Sequence, residues 1–400
     1  MRILYVVYWG ALEQLGRSLV IPSVLELKKR GAEILLLTFE KPDDASNDLE
    51  FRRLQGMFAE AGVRWIPLRY HRTPKLPATL LDIVQGVLVG LKHGRETNLI
   101  HARTFIGGLI GWPLSRLLGV EFIYHNEGFY PDEQVDGGVW NEGSFPHRFA
   151  KWLEDQLYTK SRGIIALSHR AVKVISSRTS VSAMGTPVVF VPSCVDLERF
   201  CFSEKAKQEN KNSFKFVYIG SVGGRYILDR VAAFVSAVRQ KGYDLTLQIF
   251  SKSEPELIVK MMQIGGLEAE AWRLEAIRYE DMSSRLAEFD AGLFFLTRGL
   301  SEHGCSPTKI GEYWAVGLPV ISTANVSDTD ELIQSRRVGS IVVEHSEHNY
   351  VSAFEAFLDL LKDPELSNRC RNVAIEHYSL DSASDRIMDL YSSIKATSSD

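Results

Sequence analysis

A chain of 400 residues with 45% apolar and 24% charged side chains has the balance of a soluble globular protein and is long for one core, so two domains are expected. The net charge of −4 leaves no surplus of lysine and arginine to neutralise phosphates, which argues against nucleic acid as the main partner. Four cysteines (Cys194, Cys201, Cys305 and Cys370) without C-x-x-C spacing argue against a disulfide framework or a zinc site and fit a reducing cytoplasm.

The first seven residues read as a buried strand, since Tyr8, Trp9 and Gly10 end the apolar run and no small-residue cleavage site follows. A helical pattern over 18–30, closed by Gly31, leads to a strand over 33–39. Strand, glycine turn, helix and strand within this span form a βαβ unit and imply a parallel sheet. The loop after the first strand has one early glycine, Gly10, so a G-x-G-x-x-G dinucleotide fingerprint is absent. The alternation continues with a helix over 51–62, a strand over 63–67, a helix over 80–92, a strand over 99–103, a helix over 105–118 and a strand over 121–125. The apolar run 80–91 contains Asp82 and Gln85 and is far short of a membrane span. The loop from Asn126 through Glu133 to Gly138 is polar, aromatic and glycine-rich, as ligand loops at strand ends are.

Residues 147–160 form an amphipathic helix with Phe149, Trp152, Leu153, Leu157 and Tyr158 on one face. That stripe reads as core, with a membrane-surface contact as the alternative. A strand over 163–168, a helix over 169–177 and a strand over 187–192 follow. The run 204–213 is polar and linker-like, and a second series begins after it: strands over 214–220, 245–250, 272–277 and 291–296, with helices over 226–239, 257–265 and 281–289 between them. A helix over 307–316 then opens on Ser306 as N-cap and Pro307 in the first helical position. Gly317 stands at C′, Pro319 blocks continuation, and a short strand runs over 320–323.

Several polar residues fall at strand C-termini or helix N-termini. The start of the 307–316 helix is an anion site by its free N–H groups, with Lys309 a mobile cation in the first turn. Glu312, a turn further in, is an acceptor for a sugar or ribose diol. An ordinarily capped helix with a solvated Lys and Glu is the plain alternative. Gly220 to Arg225 is either a tight turn or a phosphate loop, His101 is either structural or reactive, and Glu127 sits in a glycine-flanked loop.

Read together, these segments resemble the retaining GT-B glycosyltransferases of family 4. Residues 191–200 are similar to that family's I-P-N-G-V-D…F segment, and 218–221 to the start of its C-terminal domain. Residues 306–322 resemble its donor-binding P-x-K-x-x-E-x-x-A-x-G-x-P-V block, and 166–172 the segment in which a strand runs through Ser into a helix. The resemblance implies two Rossmann-like domains facing across a cleft: an acceptor-side domain over 1–200, a nucleotide-sugar domain over 201–378, and a last helix within 379–400 returning to the first. Donor-binding residues would be Gly10, Gly220, Ser221, Arg225, Arg278, Ser306, Thr308, Lys309, Ile310 and Glu312. Lys309 and Arg225 would hold the diphosphate and Glu312 the ribose, and His101, Arg103, Glu127 and Lys309 would serve catalysis.

Two positions depart from the family pattern. Its E-x7-E pair would place a glutamate at position 304, where this chain has Gly304, and Glu302 is out of register. Its H-x-H segment reads His101-Ala102-Arg103; a guanidinium that stays protonated is no general base, but it stabilises negative charge or positions an acceptor. The implied activity is retaining, metal-independent transfer from a UDP- or GDP-linked donor to a glycan, lipid-linked or small-molecule acceptor, without a further cofactor. The leaving phosphate would take the acceptor proton. The alternatives are a UDP-sugar 2-epimerase on the same fold and a sugar-nucleotide-binding protein without catalysis. The expected setting is the cytoplasm, at the inner membrane face if the 147–160 helix touches lipid.

Overall fold

The computed structural model describes residues 1–202 and 212–397; most of the linker-like run lies outside the described residues. Two compact units result. The first comprises Met1–Pro131, Glu142–Pro192 and the stretch from Leu380; the second comprises Asp132–Asn141 and Ser193–Ser379. The chain thus enters the second unit at Ser193 rather than near residue 200, and Asp132–Asn141 groups with the second unit although it was read as part of the first.

In chain order the first unit runs β1 (Arg2–Val7), α1 (Ile21–Lys29), β2 (Glu33–Glu40), α2 (Pro42–Ala45), α3 (Asp48–Glu60), β3 (Arg64–Arg69), α4 (Lys75–His93), β4 (Leu99–Arg103), α5 (Phe105–Leu118), β5 (Glu121–Asn126), α6 (Tyr130–Asp136, which passes into the second unit at Asp132), α7 (Phe145–Lys160), β6 (Gly163–Ala166), α8 (His169–Ser176), α9 (Thr179–Met184) and β7 (Val188–Phe190). The second runs β8 (Ser213–Ile219), α10 (Leu228–Gln240), β9 (Asp244–Phe250), α11 (Pro255–Ile264), β10 (Trp272–Glu275), α12 (Met282–Leu286), β11 (Ala291–Phe294), α13 (Thr308–Ala315), β12 (Val320–Thr323), α14 (Thr329–Arg336), β13 (Gly339–Val342), α15 (Glu347–Leu361) and α16 (Leu366–Tyr378). The last helix, α17 (Leu380–Thr397), packs on α1 and β7 of the first unit. There Arg30 donates to Asp381 and Asp385, and Arg386 donates to the Phe190 carbonyl.

Both sheets are wholly parallel, ordered β3-β2-β1-β4-β5-β6-β7 and β10-β9-β8-β11-β12-β13. Each reverses direction beside its first strand, between β1 and β4 and between β8 and β11. The C-terminal ends of those strands are where such sheets bind ligands, because the diverging connections leave a crevice there. Strand interiors carry continuous apolar runs, as sheets covered on both faces require: Ile3 to Val7 are fully buried, as are Phe216, Val217 and Tyr218.

Local differences from the sequence reading have local causes. The helix expected over 18–30 begins as a π-helical turn, Gly16–Val20, and becomes α-helical at Ile21 with Pro22 near its start. Ser306 is not the N-cap of α13. Pro307, whose ring carries no acceptor, occupies that position, and the Ser306 hydroxyl accepts the Ser193 N–H at 3.1 Å. The far end of α13 matches expectation: Gly317 has φ +80, its N–H donates to Trp314, and the Leu318 N–H donates to Tyr313, a Schellman motif. In α7, Leu157 and Tyr158 are buried, but Phe149 and Trp152 point to solvent and leave the expected core stripe. No helix among the described residues is long and apolar enough to cross a membrane.

Candidate functional site

The switch point of the second sheet gathers most of the expected donor residues. β8 ends at Gly220, whose φ of +111 only glycine adopts without strain, and Gly223 and Gly224 also have positive φ, turning the chain toward α10. Into the space beside Gly220 comes Lys309 from the first turn of α13; a Cβ on Gly220 would lie 2.4 Å from its Nζ. The rings of Tyr226, Tyr218 and Phe294 surround that ammonium, with centroids 3.7, 5.3 and 5.8 Å away. Although Lys309 as a residue is only part-buried, its Nζ is shut off from solvent and has no hydrogen-bond partner. Burial pushes its pKa down to about 7.

One helical turn on, Glu312 is 4% exposed and accepts the Tyr279 hydroxyl at 3.3 Å; burial raises its pKa to about 7. Arg225 flanks the pocket. Its Nε and Nη2 lack hydrogen-bond partners, while Glu133 and Asp136 stand 3.8 and 4.0 Å away, too far for full hydrogen bonds. The Cys305 thiol, pushed up to about 11 by burial, lies within the fields of Arg225, Glu133 and Lys309, so these groups form one cluster. Two cations withdrawn from water with unused N–H groups are costly unless an anion completes them. Asp136 shapes the same cluster by accepting the Leu300 N–H at 2.9 Å and the Ser301 N–H and hydroxyl at 2.9 and 2.5 Å, building the turn that leads to Gly304.

Not every expected donor residue joins this cluster. Thr308 opens α13 beside Lys309, but the Ile310 N–H is taken by the Pro307 carbonyl and its side chain is core. The Ser221 carbonyl accepts the Tyr218 hydroxyl. Arg278 points outward in a two-pronged pair with Asp281 at 2.8 and 3.1 Å. In the first unit, Gly10 donates its N–H to Glu13 at 2.9 Å. It must be glycine because Glu40 closes on it: a Cβ would lie 2.6 Å from Oε2.

The first sheet's switch point holds three of the four expected catalytic residues, His101, Arg103 and Glu127, in a buried chain, while the fourth, Lys309, belongs to the second unit. Register sets His101 of β4 beside Tyr5 of β1, and Arg103 beside His125 of β5. The Tyr391 hydroxyl of α17 lies 2.5 Å from His101 Nδ1, His101 Nε2 lies 3.0 Å from His125 Nδ1, and His125 Nε2 is 3.3 Å from Glu127 Oε1, off-line for a full hydrogen bond. Glu127 also pairs with the Arg103 guanidinium. Burial and the neighbouring Arg103 charge lower His101 to about 3 and hold His125 well below its usual range, so both imidazoles are neutral. With Glu127 an acceptor paired to Arg103, one proton arrangement satisfies the chain: Tyr391 donates to His101, His101 donates to His125, and His125 turns its N–H to Glu127. His101 has both nitrogens committed, so it orients His125. Sequence reasoning missed His125, Tyr391, Tyr279 and Asp136. The one available signal was the polar loop after β5, which holds Asp136.

With this geometry described, the comparisons have a frame. Residues 23–194 match the glycosyl transferase 4-like domain. The fold is GT-B. Among solved structures, a sucrose-phosphate synthase from Thermosynechococcus elongatus superposes with a TM-score of 0.72 at 15% identity, covering 99% of this chain and 100% of that one. HepE from Anabaena, solved with UDP-glucose, gives 0.67 at 14%, covering 98% and 100%. MnaA from S. aureus, solved with UDP, gives 0.60 at 15%, covering 97% and 95%. No curated protein matches the chain significantly. At these identities the structural likeness establishes the GT-B fold alone.

Proposed function

We propose that this GT-B protein is a retaining, metal-independent glycosyltransferase whose second unit binds a nucleoside-diphosphate sugar and whose first unit binds the acceptor. The observation that carries the reading is the buried, unpartnered Lys309 ammonium beside Gly220 at the second switch point, with the unsatisfied Arg225 guanidinium in the same cluster. A diphosphate satisfies both cations, and Glu312 with Tyr279 receives the ribose hydroxyls. UDP is the favoured nucleotide, because HepE and MnaA were solved with UDP compounds. Glu133, beside Arg225 and Cys305, offers a carboxylate for a sugar hydroxyl next to Gly304.

In the transfer itself, the sugar–phosphate bond breaks while Lys309, Arg225 and the start of α13 take up the charge developing on the diphosphate. The acceptor oxygen bonds the anomeric carbon on the face from which the phosphate departs and gives its proton to the leaving phosphate oxygen, which retains configuration and needs no resident metal or other cofactor. Arg103 and Glu127 orient the acceptor, read as a glycan, a lipid-linked sugar or a small molecule.

The test is incubation with UDP-, GDP- and ADP-sugars and candidate acceptors, with free nucleotide and donor anomers followed by chromatography and NMR. Acceptor-dependent UDP or GDP release, abolished in Lys309→Ala, is expected. A donor epimerised at C2 would replace the reading with a 2-epimerase, and binding without turnover would replace it with a sugar-nucleotide-binding protein.

A further inference from the structure

In the first unit, α4 is built inside out. Its inward face is made of small or polar residues: Ala78, Asp82, Gly86 and Gly90 are the buried positions. Asp82 is fully buried and accepts the Tyr8 hydroxyl at 2.7 Å and His71 Nδ1 at 2.5 Å. A Cβ on Gly90 would lie 2.6 Å from Leu114 of α5, and one on Gly86 3.0 Å from Ile110. Five bulky side chains face water, while Ile83, Val87, Val89 and Leu91 are part-buried. Leu76, Leu80, Val84 and Leu88 recur at every fourth position, each more than half exposed, with Leu81 beside them. An ordinary surface helix turns that stripe toward the core.

The apolar face continues beyond α4. The connections β3 to β4, β4 to β5 and β5 to β6 all advance the same way along the sheet, so right-handed crossovers set α4, α5 and α7 on one face. α5 packs against both neighbours. It adds Leu117, and α7 adds Phe145, Phe149 and Trp152, whose rings stack in a row at 5.9 and 5.7 Å. Nine of the nineteen exposed large apolar side chains among the described residues fall on these three helices. That concentration is what marks an interaction face rather than scattered surface leucines.

Charge selects the occupant. These helices carry Lys75, Lys92, Arg116, Arg148, Lys151 and Lys160 against three acids. Asp82 and Glu154 are fully buried, Lys151 pairs with Glu154 and Asp155 with Arg178. That leaves Lys75, Lys92, Arg116, Arg148 and Lys160 as the exposed cations of these helices. The face is therefore basic on a chain whose net charge is −4. A broad apolar ridge with aromatic side chains, fringed by lysine and arginine, matches an anionic phospholipid surface: the side chains enter the headgroup boundary and the cations meet lipid phosphates. We infer that the α4, α5 and α7 face docks on anionic bilayers and makes the protein peripheral to membrane. This inference does not depend on the donor reading.

Sedimentation of the full chain with phosphatidylglycerol–phosphatidylcholine vesicles, against vesicles of phosphatidylcholine alone, tests it. The protein should pellet with the anionic vesicles, and high salt should release part of it. The exposed-site variants Leu80→Glu/Leu88→Glu and Trp152→Glu should lose at least most of that binding with unchanged circular-dichroism melts. Absence of vesicle binding, equal binding to neutral vesicles, or retained binding in both variants would overturn the inference. So would light scattering showing a dimer that both variants dissociate, since a second copy would then be the occupant.

Discussion

Lys309 and Gly220 interlock: the ammonium fills the volume that any side chain at position 220 would need. The Gly220→Ala variant therefore carries two penalties. A residue with a Cβ at φ +111 costs about 1–3 kcal/mol of stability, and the methyl displaces Nζ from its aromatic surround. A lowered melting temperature and UDP affinity weaker by about ten- to a hundredfold are expected from thermal melts and calorimetric titration, the range for losing a charged hydrogen-bond partner.

On the proposed role of Lys309 at the diphosphate, its lowered pKa makes UDP binding pH-dependent in a definite direction. With a folded-state value of about 7 against 10.5 for an unburied lysine, the free protein loses the ammonium as pH rises above 7, while the unfolded chain keeps it. The unfolded state then holds more protons, so this residue's destabilising effect, full below pH 7, disappears as pH rises toward 10.5. A diphosphate needs the ammonium restored, so UDP affinity should fall from pH 7 to pH 9, with proton uptake visible as buffer-dependent binding enthalpy. In Lys309→Arg that decline should flatten, because a guanidinium stays charged.

Much of this was legible in the chain for physical reasons. Periodicity and glycine punctuation exposed both α/β series, and the spacing of Lys309 and Glu312 put two ionisable groups one turn apart on α13, where burial shifts both. What stayed hidden depends on contacts distant in sequence. Tyr391 meets His101 across 290 positions, and Asp136 reaches Ser301 across 165; no local pattern encodes either pairing. The outward ridge of α4 was hidden differently, since its spacing is that of any amphipathic helix, and only the small residues of its inner face reveal which way it turns.

Glu312 has the opposite linkage to Lys309. Its folded-state pKa of about 7 lies above the ordinary 4.5, so the native state holds the extra proton and this contribution to stability is lost as pH rises from about 4.5 to 7. Glu312→Gln should therefore melt higher than the parent at pH 7.5 and no higher at pH 4.5. The same substitution removes an ionised acceptor for the ribose, and UDP affinity should fall by about tenfold. Tyr279→Phe, which deletes the hydroxyl donated to Glu312, should show a smaller loss of the same sign.

The histidine chain makes the first unit acid-sensitive. His101, lowered to about 3, and His125, also lowered, stay neutral in the fold but take up protons in the unfolded chain near pH 6.5. The unfolded state binds more protons below that point, so the stability these residues supply is complete above pH 6.5 and lost as pH falls toward 3. Urea unfolding at a series of pH values from 7.5 to 4.5 should show that decline, and His101→Gln should make it shallower by removing one of the two titrations. Tyr391→Phe keeps the ring and removes the hydroxyl, costing about 1 kcal/mol. If the chain holds Glu127 for the acceptor, that variant should lower kcat and raise the acceptor KM while leaving UDP affinity unchanged. An unaltered acceptor KM would reduce the network to packing alone.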